Sequence, residues 1–276
     1  MYDAVSLSDA PVLQRAVGEL RLETRACNGR TVLDELRQVG CLKARFPRPV
    51  VDGWMDVVTL NTSGGIAGGD SLNSEFVMRS GAHATIAAQA AERFYRAPAA
   101  SEAARVETRI TVEKDAAAEW LPQETILFDR CCMRRHLRVE LASDAWFLGV
   151  ESLVFGRAAM GESVEFASLH DKIEVHRDGK LLLHDAIRLD GEVSSVLRRP
   201  AVANGARAVA TIVHVAPDAE CRLDALRRLP QLGVSAWDGM LIARAVAAGG
   251  ASLRATVVAA LQILRGERSL PRVWLC

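Results

Sequence analysis

The chain has 276 residues, of which half are hydrophobic and a quarter are charged, a composition typical of a globular protein with a substantial core. The 34 lysines and arginines equal the 34 aspartates and glutamates, so the summed charge gives no long-range attraction to nucleic acid or to an anionic membrane. No internal repeat or low-complexity linker divides the sequence, which predicts a single domain over residues 1–276.

The amino-terminal residues lack the basic start and apolar centre of a signal peptide. The most apolar long window, residues 245–264, contains Gly249, Gly250 and Arg254 and is too short and too polar to cross a bilayer. These two features predict a cytoplasmic protein. The six cysteines form no C-x-x-C pair, so we expect reduced thiols rather than a disulfide framework or a zinc site.

After a lead-in over residues 1–17 with no clear period, strand patterns follow one another along the chain. Asn28-Gly29 and Asp178-Gly179 each lie between alternating segments, which is typical of two-residue hairpin turns. Two prolines in residues 46–49 predict an extended loop. Alternating segments and runs of apolar or small residues predict strands over residues 20–25, 31–39, 57–60, 72–78, 82–91, 106–112, 137–141, 146–155, 173–177, 181–189 and 209–215.

Helical patterns appear only late in the chain. Asp218 is placed to cap a first helix that runs to about Leu229 and stops before Pro230. A second helix is predicted over residues 252–264, with Gly266 just beyond its end. The sequence therefore predicts a mostly β fold with two short helices docked on the sheets.

The predicted strands 57–60 and 72–78 are joined by a stretch rich in glycine. Glycine tolerates positive φ and the close approach of another segment, so this stretch needs a special backbone conformation. A phosphate loop would continue with lysine, but Asp70 follows here, and the dinucleotide spacing G-x-G-x-x-G is absent. We expect a tight crossover in which Asp70 accepts hydrogen bonds from free amides. Its glycines are Gly64, Gly65, Gly68 and Gly69.

No compact catalytic or metal-binding pattern occurs in the sequence. The six histidines form no H-E-x-x-H pair, and no G-x-S-x-G elbow is present. Cys131 and Cys132 would point to opposite faces of a strand. We expect the histidines to be surface or hydrogen-bonded core residues, with a transient nickel contact as the alternative, since imidazole suits that metal.

Three carboxylates, Glu119, Glu124 and Asp129, lie in an otherwise apolar segment. Burying a carboxylate among bulky apolar groups is costly unless it is hydrogen-bonded, paired with a cation or in contact with water. A polar internal passage would satisfy such groups. The alternative is that each is an ordinary capping or surface carboxylate.

Three segments also carry a family resemblance: residues 60–70, 89–96 and 119–129. In their order and spacing they resemble the signature blocks of the urease accessory protein family UreD, which is also called UreH. The likeness continues through residues 147–151, 155–157, 161–162 and 270–274, so it spans nearly the whole chain.

The UreD resemblance implies a cytoplasmic accessory protein rather than an enzyme. Such a protein acts as a scaffold or chaperone that binds UreF, UreG and apo-urease in a hetero-oligomer, without nucleic acid or membrane. It implies nickel in transit, no tightly bound cofactor and a stacked, β-helix-like body with two helices in the C-terminal half. It leaves the metal ligands unknown.

The resemblance also implies an internal tunnel for nickel. A metal ion in transit needs weak, successive oxygen contacts, because a complete cage would trap it. The candidates for the polar lining of this tunnel are Asp70, Glu119, Glu124 and Glu151.

For the partner-binding surface we expect the late helices and an exposed tryptophan near the C-terminus, since aromatic residues dominate interface energies. The candidate residues are Leu253, Val257, Leu261 and Trp274. The alternative is that Trp274 packs on its own domain.

Two other classes of function are compatible with the sequence. A nickel-binding storage protein would need a dense set of ligands, and none is visible in the sequence. An uncharacterised β-rich enzyme would need a catalytic set, which could be spread across the fold without forming a local motif.

Overall fold

The computed structural model describes residues 14–98, 101–157 and 160–275. Within these ranges the helices are α1 (Val193–Arg198), α2 (Leu223–Arg227) and α3 (Gly250–Arg265). The mostly β fold with late helices is therefore confirmed. The strands are β1 (Val17–Cys27), β2 (Arg30–Gly40), β3 (Leu42–Arg45), β4 (Met55–Asn61), β5 (Ser71–Met78), β6 (His83–Ala88), β7 (Glu92–Phe94), β8 (Ala104–Val112), β9 (Ala117–Leu121), β10 (Thr125–Leu127), β11 (Cys132–Leu141), β12 (Trp146–Phe155), β13 (Phe166–Arg177), β14 (Lys180–Glu192), β15 (Ala208–Val215), β16 (Leu232–Trp237) and β17 (Met240–Ala247).

Two sheets form the body of the protein. The first has the strand order β14-β13-β11-β8-β5-β1-β2, and the second has the order β16-β17-β15-β12-β9-β6-β4-β3. From β4 to β13 the chain alternates between the sheets, and successive strands of one sheet pair in parallel. Each return of the chain to the same sheet adds one coil. The successive coils form the β-helix-like stack that was predicted.

A short third side closes the coils. Strands β7 and β10 pair in parallel with each other, and β10 pairs with the end of β12. This register places Phe94, Leu127 and Phe155 next to one another, and Ile66 extends the row through a bridge to Phe94. All four side chains are buried. Their stacking explains how strands of only three residues are held in place.

Both predicted hairpin turns are confirmed. Asn28-Gly29 joins β1 to β2, and Asp178-Gly179 joins β13 to β14. The φ angles are 50° and 73° at both turns, so both central residues have the positive φ that a type I′ turn requires.

The apolar residues form two cores. One lies between the inner faces of the two sheets, with Phe76, Ile110 and Phe147 fully buried in it. The other lies between the outer face of the second sheet and helix α3, where Leu148 and Leu261 are buried. Helix α3 therefore covers the second sheet and leaves the first sheet open on its outer face.

The late helices differ in part from the prediction. Helix α3 begins two residues before the predicted start and ends one residue later. The first predicted helix is a 3₁₀ turn over Ala219–Arg222 followed by α2. Asp218 makes no capping hydrogen bond there, so the predicted cap is wrong; its carboxylate lies 3.8 Å from Arg222 instead. The sequence patterns did not predict helix α1 or strands β3, β7, β9, β10, β16 and β17.

Candidate functional site

The inner faces of the two sheets line a cavity of about 250 Å³. Its walls come from several coils, because side chains at the same position of successive coils lie beside one another. The apolar wall residues include Leu42, Ile66, Leu72, Phe94, Val106 and Trp120. The polar wall residues include Asn61, Glu92, Gln123, Thr125, Arg135 and Glu151.

Arg135 is the centre of a buried polar network on one wall of the cavity. Its guanidinium donates to Asp171 from Nε at 2.8 Å and from Nη2 at 2.6 Å, and Nη1 donates to Thr125 Oγ1 at 2.8 Å. Nη1 also lies 2.7 Å from Glu151 Oε2, and the indole N–H of Trp120 donates to Glu151 Oε1 at 2.8 Å. Since Asp171 is on the first sheet and Glu151 on the second, the guanidinium joins the two sheets.

Two carboxylates share one guanidinium in this network. Burial opposes the charge on Arg135, but Asp171 and Glu151 outweigh that effect and raise its pKa. Burial raises the pKa of Glu151, and Arg135 opposes this rise. The network thus places two carboxylates and one guanidinium at largely buried positions. Such an arrangement favours a further cation or a proton.

Glu92 supplies a further carboxylate to the cavity. Its Oε2 accepts a hydrogen bond from Asn61 Nδ2 at 3.1 Å, and its Oε1 accepts one from the backbone N–H of Arg93 at 3.0 Å. Desolvation by burial raises the pKa of Glu92. Neither Glu92 nor Asn61 was among the predicted site residues, although both lie in the segments 89–96 and 60–70 that carry the family resemblance.

The glycine-rich crossover forms part of the cavity wall, through Gly64 and Gly65. As predicted, Asp70 accepts backbone hydrogen bonds, from Ala67 N–H at 2.7 Å and from Ala16 N–H at 2.8 Å. Gly65 has a φ of 142°, and a Cβ there would lie 2.3 Å from Tyr95 Cε2. The glycine is therefore required by both its φ and the tyrosine ring packed against it.

The segments that build this cavity are shared with known proteins. The family described as UreD urease accessory protein matches residues 16–275. The chain belongs to the UreD family. It is 44% identical to the urease accessory protein UreD of Azorhizobium caulinodans, over 97% of this chain and 99% of that protein. The corresponding protein of Dinoroseobacter shibae is 46% identical, over 96% of this chain and 94% of its own length.

Among the four predicted lining carboxylates of this UreD-family chain, only Glu151 lies on the cavity. Asp70 is held in the crossover. Glu119 is fully buried on the other side of the second sheet, where Arg265 and Arg268 pair with it at 2.9 and 3.1 Å. Cation pairing, one of the ways in which a buried carboxylate can be satisfied, therefore accounts for Glu119.

Glu124 is also paired with an arginine. Arg254 Nη1 donates to Glu124 Oε1 at 3.0 Å and to Gln123 Oε1 at 2.6 Å. This pair lies between the loop after β9 and helix α3, and Glu124 does not line the cavity. The contact fixes the first half of the helix to the body of the UreD fold.

The predicted partner-binding residues lie inside the protein. Leu253, Val257 and Leu261 of helix α3 are at most 1% exposed because they pack on the outer face of the second sheet. Trp274 is 4% exposed, and its indole N–H donates to the carbonyl oxygen of Leu121 at 3.0 Å. The prediction of an exposed tryptophan anchor is therefore wrong, and Trp274 packs on its own domain.

The described part of the chain contains no dense set of metal ligands. No group of three or more His, Cys, Asp or Glu side chains is placed there to hold a metal ion. His214 is buried, and its Nδ1–H donates to the carbonyl oxygen of Phe147 at 3.1 Å. Burial lowers the pKa of His214 to about 4 and raises the pKa of Cys131 to about 12. Both side chains are therefore uncharged at neutral pH.

None of the helices in residues 14–98, 101–157 and 160–275 combines the length and the apolar character needed to cross a bilayer.

Proposed function

We propose that this chain is a cytoplasmic urease maturation factor without catalytic activity of its own. The observation that carries the proposal is the full-length match to the UreD urease accessory protein family. We infer that the chain is a scaffold that binds UreF, UreG and apo-urease and helps deliver nickel to the enzyme. Nickel is then the cargo of the complex and not a resident cofactor.

The cavity is the proposed route for this cargo. Glu151 and Glu92 present carboxylate oxygens to it, and Asn61 and Thr125 add neutral oxygens. The two carboxylates that share Arg135 favour a further cation, while the guanidinium already occupies one oxygen of Glu151. A cation at this wall would therefore meet an incomplete set of oxygen ligands, which suits transit better than storage.

The maturation role is tested by co-expressing the chain with UreF, UreG and apo-urease and by omitting one component at a time. We expect the chain to co-purify with the accessory proteins and with apo-urease, and urease to remain nickel-poor when the chain is omitted. Urease that acquires its full nickel content without this chain would contradict the proposal.

The cavity route is tested with Glu151→Gln, which removes one charge and keeps the shape of the side chain. We expect the complex to assemble and the nickel content of urease to fall. The matched control is Glu124→Gln, which removes a charge outside the cavity and should leave the nickel content at the wild-type level. Normal nickel loading with Glu151→Gln would reject the route but not the scaffold role.

The two alternative functions give different results on the purified chain. A storage protein would retain nickel through gel filtration, and an enzyme would show turnover as a single chain. We expect neither result.

A further inference from the structure

A row of four basic residues crosses the outer face of the first sheet. Arg134 on β11 faces Arg105 on β8 on one side and His170 on β13 on the other, and His170 faces Arg188 on β14. Neighbouring strands lie roughly 4.8 Å apart, so this basic row is about 14 Å long. All four residues are on the side of the sheet that helix α3 leaves uncovered.

The side chains of the basic row have almost no carboxylate partners within the described part of the chain. Among the described residues, Arg134, His170 and Arg188 have no ion-pair partner, and Arg105 has only Glu102, at 3.6 Å between largely exposed side chains. Some other basic side chains on the first sheet do have carboxylate partners, as in Arg138 with Glu140. Like charges on facing positions of neighbouring strands are destabilising, and Arg105 and Arg134 are such a pair.

An exposed aromatic residue lies on the same face as the basic row. Phe166 precedes His170 by four residues on β13 and is therefore on the same side of the strand. Its side chain is 43% exposed, and the guanidinium of Arg130 lies 5.2 Å from its ring centre. Aromatic and arginine side chains are the residues that most often contribute large binding energies at protein interfaces.

We propose that the basic row and Phe166 form a docking surface for an acidic segment of a partner protein. Carboxylates of the segment would pair with the guanidinium groups in charge-assisted hydrogen bonds, and an apolar side chain would pack against Phe166. The inference does not rest on the cavity or on the maturation role.

The surrounding charges favour a protein segment over nucleic acid. Carboxylates stand close to the row at Glu107 on β8, two positions from Arg105, and at Asp190 on β14, two positions from Arg188. They would repel a continuous phosphate backbone, whereas an acidic peptide can place its few carboxylates on the row alone. The chain as a whole also has no excess of basic residues to attract nucleic acid.

The test measures the fluorescence anisotropy of a labelled, glutamate-rich peptide containing one leucine, titrated with the full chain. We expect binding that weakens with added salt. The double variant Arg134→Glu/Arg188→Glu should bind about tenfold or more weakly, since each lost charge-assisted hydrogen bond changes affinity by about that factor.

The matched control is Arg25→Glu/Arg37→Glu, which makes the same change in net charge on strands β1 and β2, where both arginines are exposed and ion-paired. Its affinity should stay within about twofold of the wild type. Equal losses in the two double variants, no binding by the wild-type chain, or tighter binding of a single-stranded RNA oligonucleotide than of the peptide would each overturn the proposal.

A stability measurement separates docking from a structural role. Arg134→Glu places a carboxylate on the position facing Arg105, so it replaces the repulsion between two arginines by attraction. The midpoint of thermal unfolding should therefore stay the same or rise while peptide binding is lost. A fall in the midpoint together with the loss of binding would show that the row serves the fold and would overturn the proposal.

Discussion

Arg265 on helix α3 and Glu119 on strand β9 form a bidentate ion pair. The arginine Nε donates to Glu119 Oε1 and Nη2 donates to Oε2, each at 2.9 Å, and both side chains are at most 2% exposed. Thr85 adds a hydrogen bond to Glu119 Oε2 at 2.7 Å. One carboxylate thus fixes the last helix to the second sheet across 146 positions of sequence.

The first prediction concerns this carboxylate. Glu119→Ala leaves Arg265 buried without its partner, so we expect the free energy of unfolding to fall by about 3–5 kcal/mol. Glu124→Ala is the control, because Arg254 keeps Gln123 and the carbonyl oxygen of Trp274 as partners, and it should cost about 1 kcal/mol. Urea unfolding measures both values; an unchanged midpoint for Glu119→Ala would falsify the assignment.

The second prediction compares two neighbouring residues of the C-terminal segment. Trp274→Ala removes a buried ring and its hydrogen bond to Leu121, so it should cost about 3–5 kcal/mol. Leu275 is 73% exposed, and Leu275→Ala should change the free energy of unfolding by about 0.5 kcal/mol or less. Thermal and urea unfolding provide the measurement. Similar small losses in both variants would mean that the segment is not docked.

The third prediction concerns the crossover. Gly65→Ala forces an alanine to a φ of 142° and places its Cβ against the ring of Tyr95, so we expect a loss of about 1–3 kcal/mol. Gly233→Ala on strand β16 is the control, since a Cβ there would meet only the carbonyl oxygen of Arg244 at 3.8 Å. A variant at Gly65 as stable as the one at Gly233 would contradict this prediction.

The fourth prediction concerns pH. In the unfolded chain His214 takes up a proton near its ordinary pKa of 6.5, whereas burial lowers the pKa of the folded group to about 4. The unfolded state therefore binds more protons between these values, and stability falls as the pH falls from 6.5 to 4. The full loss is on the order of 3 kcal/mol.

The variant His214→Gln tests the pH effect, because its side-chain amide can still donate to the carbonyl oxygen of Phe147. Its free energy of unfolding should decrease less between pH 7 and pH 4 than that of the wild type. His184 has a largely exposed side chain, so His184→Gln should follow the wild-type profile. Parallel profiles for all three proteins would show that His214 does not contribute.

The strands and turns could be predicted from the sequence because their signals are local. The apolar run over residues 146–155 marks β12 from its first residue to its last, and Asn-Gly and Asp-Gly pairs need no distant contact to favour a turn. The position of Asp70 after the glycines likewise predicted its hydrogen bonds to free amides.

The site could be predicted only in part, because its contacts join distant residues. The apolar surroundings of Glu119 indicate that it needs a partner, but no local pattern identifies Arg265. The stripe that includes Leu253 and Val257 correctly predicts a buried helix face, yet the same stripe could bury itself against a partner or against its own sheet. Glu92 and Arg135 reach the cavity only through the stacking of successive coils.

The stacked coils have a consequence for synthesis. In the two sheets, β5 and each later strand up to β13 pair in parallel with a strand earlier in the sequence, so the coils can form in the order in which they leave the ribosome. Helix α3 follows all of the strands in the sequence, and until it docks, Leu121 and Leu148 on the second sheet lack its cover and Glu119 lacks Arg265. The nascent chain is therefore exposed to aggregation until α3 docks on the second sheet.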